Sequence, residues 1–283
     1  MMRKTLGIIG NPLGHSLSPL MHGAAIQSQN WPYRYEKWEL LPDELAGFTE
    51  SVRGSGSEVL GFNVTIPYKE KILPFLDGLE ETCRILGAVN TVKWEAGQLI
   101  GYNTDGLGLL ESLNRHGVPY SGRSILLIGS GGAARGIAVT LALRGAGRID
   151  FVAADLNQGM ILKDQISTLG LPSEVYPYDG LKGMEVSPYD VIIQATPVGM
   201  KGVEGEIPFP YEELKLRQAV VDIVYNPLET VFRKECRKRG VETISGIEML
   251  IYQGYHSMRI WTGLEEDTEL MLEIGRRYLE GRE

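Results

Sequence analysis

Short apolar runs of strand length alternate with amphipathic stretches of helical spacing along nearly the whole chain. Thr5 to Ile9 reads as a strand entering a Gly/Pro/Ser loop, Gly10 to Pro19, followed by a helical segment from about Leu20 to Gln29. Tyr33 to Leu40 predicts a second strand, Pro42 to Arg53 a helix, Val59 to Val64 a third strand and Pro67 to Pro74 a short helical turn. Ala88 to Trp94 and Gln98 to Tyr102 read as strands across a Glu95-Ala96-Gly97 turn, and Thr104 to His116 as a helix closed by Gly117 and Pro119. By composition, the Gly117 to Gly122 patch is the best candidate boundary between two domains, because a fresh apolar strand, Ser124 to Ile128, follows it.

The second half alternates more regularly: helix Ala133 to Arg144, strand Ile149 to Ala154, helix Met160 to Leu169, strands Val191 to Gln194 and Ala219 to Val224, and helix Thr230 to Arg239. Ile247 to Glu283 is helical by its apolar spacing. Such alternation predicts an α/β chain with a parallel, doubly wound sheet.

Composition narrows the function. Thirty-five of the 283 residues are glycine, well above the roughly 7% usual in proteins, so tight turns and ligand-cradling loops are expected. A formal charge of −8 argues against broad nucleic-acid binding, which needs a basic surface. Cys83 and Cys236 match no zinc or redox spacing, and the four histidines, His15, His22, His116 and His256, show no metal-ligand spacing. No metal is expected. No run approaches the ~18 apolar residues of a membrane span, and the basic start at Arg3-Lys4 meets Gly7, Gly10 and Pro12 too early for a signal-peptide core. A cytoplasmic protein without membrane partners is expected, as monomer or homodimer.

Gly129-Ser130-Gly131-Gly132-Ala133-Ala134 follows a predicted strand and opens a predicted helix, the context that a dinucleotide fingerprint requires. Gly129 permits the tight turn, Gly131 lets the backbone approach a pyrophosphate, and Ala134 allows close helix–strand packing, while the helix start offers unpaired N–H groups. About 20 residues on, Asp155 ends the next strand, where a carboxylate accepts from a ribose 2′-hydroxyl and repels a 2′-phosphate. No Arg or Lys lies between Ala153 and Leu162 to hold such a phosphate, which favours NAD. The plainer readings are a glycine-rich turn and a solvated aspartate.

Four segments of the first half carry more polar side chains than turns need: Asn11 to Pro19, Gly61 to Lys69, Gly87 to Thr91 and Gly101 to Asp105. Three sit at strand-to-helix junctions, where open α/β sheets bind ligands, and their hydroxyls and amides suit a polyhydroxylated small molecule bearing a carboxylate. A lysine near an aspartate there can serve as acid/base. Ser16-Leu17-Ser18-Pro19 with His22, Asn63-Val64-Thr65-x-Pro67-x-Lys69, Gly87-Ala88-Val89-Asn90-Thr91 and Gly101-x-Asn103-Thr104-Asp105 follow the order seen in shikimate dehydrogenases. Gly129 to Ala133, Asp222-Ile223-Val224-Tyr225-Asn226-Pro227 and Gly246-x-x-Met249-Leu250-x-x-Gln253 continue the match, so the chain resembles that family from Gly7 to Trp261.

The resemblance implies a reversible, NAD(P)H-dependent reduction of 3-dehydroshikimate to shikimate, a step toward chorismate and aromatic amino acids. It implies a substrate domain over residues 1–104, a Rossmann-like dinucleotide domain over 105–245, and C-terminal helices, 246–283, packing back on the substrate domain. Lys69 would protonate the 3-oxygen and Asp105 orient it. Ser16, Ser18 and Tyr225 would bind the carboxylate, while Thr65, Asn90, Asp105 and Gln253 would hold ring hydroxyls. Gly129, Ser130, Gly131, Gly132 and Ala133 would hold the pyrophosphate, with Thr196, Ile223, Gly246 and Met249 on the nicotinamide side.

Two departures stand out: Gly23 follows the first-motif histidine where Asn is common, and Gln194 replaces a usual Asn before Ala195-Thr196. The family's common cofactor is NADP, with Asn-Arg-Thr where this chain has Ala154-Asp155-Leu156. The alternatives are an NAD-preferring quinate/shikimate dehydrogenase and, from another class, a non-catalytic dinucleotide-binding regulatory module. A Ser-His hydrolase built on His15-Ser16 lacks a nucleophile elbow. Asp77, Glu80 and Glu81 read as a solvated face, and Arg233 to Arg239 as a basic helix end.

Overall fold

The structure is a computed structural model that describes residues 4–14 and 16–281; His15 lies outside the described residues. The chain divides into two compact units. The first runs to Thr104 and regains the chain over Ile251–Tyr278, and the second is built on Asp105–Leu250.

In the first unit the strands are β1 (Lys4–Gly10), β2 (Tyr33–Glu39), β3 (Val59–Val64), β4 (Gly78–Leu79), β5 (Thr91–Glu95) and β6 (Gln98–Tyr102), ordered β2-β1-β3-β5-β6-β4. β1 pairs in parallel with β2 and β3, while β5 runs antiparallel to β3 and β6. Helices α1 (Ser18–Ser28), α2 (Leu45–Arg53) and α3 (Glu81–Leu86) complete it. Leu6, Ile9, Phe62, Val64, Tyr68 and Val92 are buried in its core, the non-directional apolar burial that drives such a sheet to collapse.

α3 and β4 are not visible in the hydrophobic pattern; of the acidic face, Asp77 and Glu81 are exposed and Glu80 is half-buried, but Asp77 and Glu80 also hold backbone amides. Asp77 accepts from the Leu99 amide at 2.7 Å and from Arg53 at 2.8 Å. Glu80 is the N-cap of α3, accepting from the Thr82 amide, and Gly87 ends the helix in the left-handed conformation. A six-residue helix carries too little periodicity to declare itself, and its caps do the declaring.

The second unit comprises α4 (Asp105–Arg115), β7 (Ser124–Ile128), α5 (Gly132–Leu143), β8 (Arg148–Ala153), α6 (Leu156–Thr168), β9 (Val175–Pro177), β10 (Val191–Gln194), β11 (Ala219–Asp222), α7 (Val231–Lys238) and β12 (Glu242–Ser245). Its strand order is β12-β11-β10-β7-β8-β9, with every pairing parallel. The order reverses between β7 and β10, the switch point at whose carboxyl ends such sheets bind ligands. β9 contains Pro177 and β12 is largely polar, so both edge strands escaped the periodicity.

The boundary falls at Thr104/Asp105 rather than at the Gly117 to Gly122 patch, which is only the link from α4 to β7. A β-carbon on Gly106 would strike the Thr140 hydroxyl, so this glycine lets α4 lie against α5. Arg233 is buried near the start of α7, donating to the Leu228 carbonyl at 2.6 Å, while Arg237 and Lys238 make the basic end of the helix.

The C-terminal helical stretch is two helices, α8 (Gly246–Thr262) and α9 (Thr268–Leu279). The return to the first unit begins inside α8 at Ile251, not at Gly246. The opening turns of α8 stay with the second unit, where Glu248 lies 2.7 Å from His116 Nε2. Farther along, Trp261 covers Gly61, where any β-carbon would collide with the indole, and donates to the Val92 carbonyl at 2.9 Å.

Candidate active site

Six of the eight candidate substrate-binding residues, Ser16, Ser18, Thr65, Lys69, Asn90 and Gln253, lie in the first unit; Asp105 and Tyr225 lie in the second. The loop after β1 is pinned by backbone and side-chain bonds. The Asn11 amide donates to the Ile66 carbonyl at 3.1 Å, Asn11 Nδ2 to the Leu40 carbonyl at 2.9 Å, and the Leu13 amide to Glu39 Oε2 at 3.0 Å. Leu13 and Leu17 are buried beside it, Ser16 is half-buried and Ser18 is buried at the start of α1.

The turn after β3 is held by Tyr68, which is fully buried and donates its hydroxyl to the Leu40 carbonyl. Its amide bonds the Thr65 carbonyl at 2.8 Å, closing the turn. Lys69 is half-buried, and its carbonyl accepts from Val89 at 2.8 Å, which ties this turn to the segment carrying Asn90.

Asn90 is buried in a lattice of hydroxyls. Its Oδ1 accepts from the Thr104 amide at 2.8 Å and from Thr91 Oγ1 at 2.9 Å, and its Nδ2 donates to Thr104 Oγ1 at 3.0 Å. Thr104 Oγ1 also donates to Gln253 Oε1 at 3.4 Å. Asn63, first residue of its motif, joins the same lattice: its Nδ2 donates to Thr91 and to Ser257, and its Oδ1 accepts from Tyr35. Thr91 and Thr104 stand in the motifs without an assigned role, and Ser257 and Tyr35 are supporting residues that the sequence reading missed. For Ser257 the signal was its place a turn beyond Gln253 on the same helical face.

In the second unit the candidate cofactor residues gather at the carboxyl ends of the strands. Gly129 has φ +120°, and a β-carbon there would come within 3.0 Å of the Ala195 carbonyl oxygen, so the end of β7 and the start of the Ala195-Thr196 loop fit together only through glycine. Gly131 and Gly132 are exposed, with open space where a β-carbon would stand, and Gly131 caps α5 without a side chain. The first amides of α5 therefore face that space, the geometry that takes a phosphate. Ala134 is fully buried behind them. These residues fit a dinucleotide pyrophosphate. Ser130 and Ala133 are half-buried at either side of the pair.

Gln194, the departure from the usual Asn, organises the next loop. Its Nε2 donates to the Thr196 and Val198 carbonyls at 3.0 and 3.1 Å, and its Oε1 accepts from the Thr196 amide. Gly246 abuts the Ile223 carbonyl, again leaving no room for a side chain. Met249 is buried on α8. Asp222, fully buried, accepts from Thr230 and the Val224 amide, and burial pushes its pKa up to about 6 against those bonds. Burial also raises the pKa of Tyr225.

Asp155 is exposed and is the N-cap of α6, its Oδ1 accepting from the Asn157 and Gln158 amides at 2.9 and 3.3 Å. The carboxylate is thus fixed at the strand end. Lys163, the next cation along, is bonded to Glu174 at 2.7 Å. Asp105 is the half-buried first residue of α4, facing Gly136 of α5.

A partly open cavity of about 650 Å³ lies at the other edge of this sheet, lined by Arg148, Asp150, Tyr176 and Tyr189. Its charges are spent on each other, since Asp150 takes Arg148 Nε, the Tyr189 hydroxyl and the Glu174 amide. Among the described residues no group of three or more His, Cys, Asp or Glu side chains could hold a metal, and no helix there is long and apolar enough to cross a membrane.

Residues 8–92 match the profile of the shikimate dehydrogenase substrate binding domain, and residues 246–274 that of the shikimate 5′-dehydrogenase C-terminal domain. A shikimate dehydrogenase (NADP(+)) of Methanococcus vannielii is 40% identical over 271 residues, covering 94% of each chain. The chain belongs to the shikimate dehydrogenase family.

Membership makes it an NAD(P)-dependent oxidoreductase with the two-domain, Rossmann-like fold of that family. Shikimate 5-dehydrogenase from Listeria monocytogenes, solved in complex with shikimate and NAD, is 30% identical with a TM-score of 0.90, covering 96% of both chains. Ligand-free 5-ketofructose reductase of Gluconobacter sp. strain CHM43 is also 30% identical, with a TM-score of 0.92 over 98% of this chain and 99% of that one. The chain is thus structurally similar both to a shikimate 5-dehydrogenase and to a 5-ketofructose reductase.

Proposed function

We propose that this protein is a shikimate dehydrogenase that interconverts 3-dehydroshikimate and shikimate and prefers NAD. The observation that carries the reaction is the first unit's set of Thr65, Lys69, Asn90 and Gln253, joined through the Val89 and Thr104 bonds. Amide and hydroxyl groups there match the hydroxyls of the ring. Ser16 and Ser18, with Tyr225, take the carboxylate.

Lys69, assisted by Asp105, donates a proton to the 3-oxygen in reduction and removes it in oxidation. The amides at the start of α5, with Ser130 and Ala133, hold the pyrophosphate. Thr196, Ile223, Gly246 and Met249 shape the nicotinamide side. When bound, the dinucleotide supplies or accepts the hydride.

The cofactor preference rests on Asp155. The α6 amides hold its carboxylate at the strand end, so a ribose hydroxyl meets an acceptor and a 2′-phosphate meets a negative charge. Lys163, the next cation along the chain, is engaged by Glu174. The Methanococcus relative is named for NADP(+), whereas the Listeria structure holds NAD. Cys83 and Cys236 are both buried and not joined in a disulfide, which fits a reducing cytoplasm.

The test is the initial rate of dinucleotide reduction with shikimate, NAD⁺ and NADP⁺ side by side. Faster turnover with NAD⁺ is expected, and Asp155→Ala is expected to narrow the preference by about tenfold, the scale of one hydrogen bond to a charged group. A wild-type preference for NADP⁺ would overturn the role of Asp155 and leave the reaction class intact. Turnover of quinate or 5-ketofructose in place of shikimate would move the substrate; binding of dinucleotide without turnover of any of them would favour the regulatory module.

A further inference from the structure

Ser257 is fully buried in α8, one turn beyond Gln253, and nothing in the reaction calls on it. Its hydroxyl donates to the Gln253 carbonyl at 3.0 Å and accepts from Asn63 Nδ2 at 3.0 Å. Thr91 Oγ1 lies 2.8 Å away, and Thr104 Oγ1 at 3.3 Å. The single hydroxyl proton and at least one acceptor position are therefore used up inside the protein.

By local preference this residue should be alanine. Alanine is the better helix former, and a serine hydroxyl bonded back to the preceding turn slightly destabilises and bends a helix. Nor does Asn63 depend on it alone, because Nδ2 also reaches the Asn90 carbonyl at 3.3 Å and Thr91 Oγ1 at 3.2 Å. What the hydroxyl adds is a connection. It joins the backbone of Gln253 to the lattice that holds Asn90, while Thr104 joins their side chains.

The orientation of Asn63 is set from the far side. The Tyr35 hydroxyl donates to Asn63 Oδ1 at 2.7 Å, which turns Nδ2 toward Ser257. Tyr35 in turn stacks on His22, with ring centroids 4.5 Å apart, and His22 Nδ1 lies 2.8 Å from Glu266. A chain of contacts thus runs from Glu266 through Tyr35 and Asn63 to Ser257, all within the first unit.

We propose that Ser257 is a positioning residue, which sets Gln253 against Asn90 at the spacing of two ring hydroxyls. The proposal rests on the reading that this unit binds shikimate. Gln253 is then delivered to the substrate as one member of a rigid pair, and discrimination follows from the separation of the two amides.

The test is Ser257→Ala in the full-length protein, alone and combined with Gln253→Ala, with kinetics on shikimate and on dinucleotide and a thermal melt. The single substitution is expected to raise KM for shikimate about five- to tenfold, the size of one hydrogen bond's contribution, with kcat within about twofold and dinucleotide KM unchanged. In the Gln253→Ala background it is expected to change KM no further, because its effect passes through Gln253. Were Ser257→Ala to fail to fold, Tyr35→Phe, which frees the Asn63 amide and keeps the ring stack, reads the same KM shift at smaller size. An unchanged shikimate KM, or an effect undiminished without Gln253, overturns the proposal. So does a loss shared equally by shikimate and dinucleotide KM. Wild-type protein that neither binds nor turns over shikimate overturns the functional reading and this proposal together; an active wild type beside an indifferent Ser257→Ala overturns this proposal alone.

Discussion

The two units prepare their candidate ligand-facing groups in opposite ways. In the first, side chains do the work and other side chains hold them: Asn90 is fixed by Thr91 and Thr104, Gln253 by Thr104 and Ser257. In the second, the backbone does the work and the absence of side chains makes room for it, at Gly129, Gly131, Gly132 and Gly246. A side-chain site fails when a functional group is removed. A backbone site fails when an atom is added.

The largest effect expected is at Lys69. Lys69→Ala should lower kcat by about 10²- to 10⁴-fold, the usual contribution of a positioned acid/base, with little change in shikimate KM. Steady-state kinetics check it, and a kcat within tenfold of wild type removes Lys69 from the chemistry.

The glycines sharpen the comparison, because two neighbours should respond differently to the same added methyl. Gly129→Ala forces a side chain into φ +120° against the Ala195 carbonyl, so both the melting temperature and dinucleotide affinity should fall. Gly131→Ala has φ −75° and open space, so its melting temperature should stay within about 2 °C while dinucleotide KM rises about tenfold. Equal melting losses at both positions would mean that Gly131 is structural and that its open face does not await a phosphate.

The smallest effect is a pH dependence in the second unit. His116 lies between Glu242 and Glu248 at 2.8 and 2.7 Å. Burial alone would lower its pKa, but the two carboxylates prevail and raise it above the model-peptide 6.5. The folded state therefore binds the proton more tightly than the unfolded chain. This contribution is fully present below pH 6.5 and is lost as pH rises through the higher folded value. Urea midpoints should fall over that window in the wild type, and His116→Gln should flatten the fall. Asp222 has the same sign but a lower window, between its unfolded 3.8 and about 6, so the two separate. An identical slope in His116→Gln would show that the imidazole is not the group titrating.

The second unit was the more legible in sequence, and for a physical reason. Parallel strands buried on both faces read as continuous apolar runs, and Ser124–Ile128 and Val191–Gln194 appear in the structure at the bounds their runs predict. Edge strands lack that signature: β9 carries a proline and β12 buries Ile244 among polar neighbours, so both went unseen. In the first unit the polar motifs were legible as motifs, but the direction of each side chain was not. Asn63 and Asn90 look equivalent as letters and both are buried, but one donates to Ser257, 194 residues away, while the other bonds Thr104, which reaches Gln253.

The sequence by itself determined the α/β class, the fingerprint at Gly129 and the order of the motifs, because periodicity, glycine placement and motif spacing are local properties of the chain. Tertiary structure alone decided that Gly106 lets α4 lie on α5, that the return begins at Ile251, and that Tyr35, Asn63 and Ser257 stand behind Asn90 and Gln253. Those outcomes depend on contacts between residues far apart in the chain, and a hydroxyl's partner is fixed by where packing aims it.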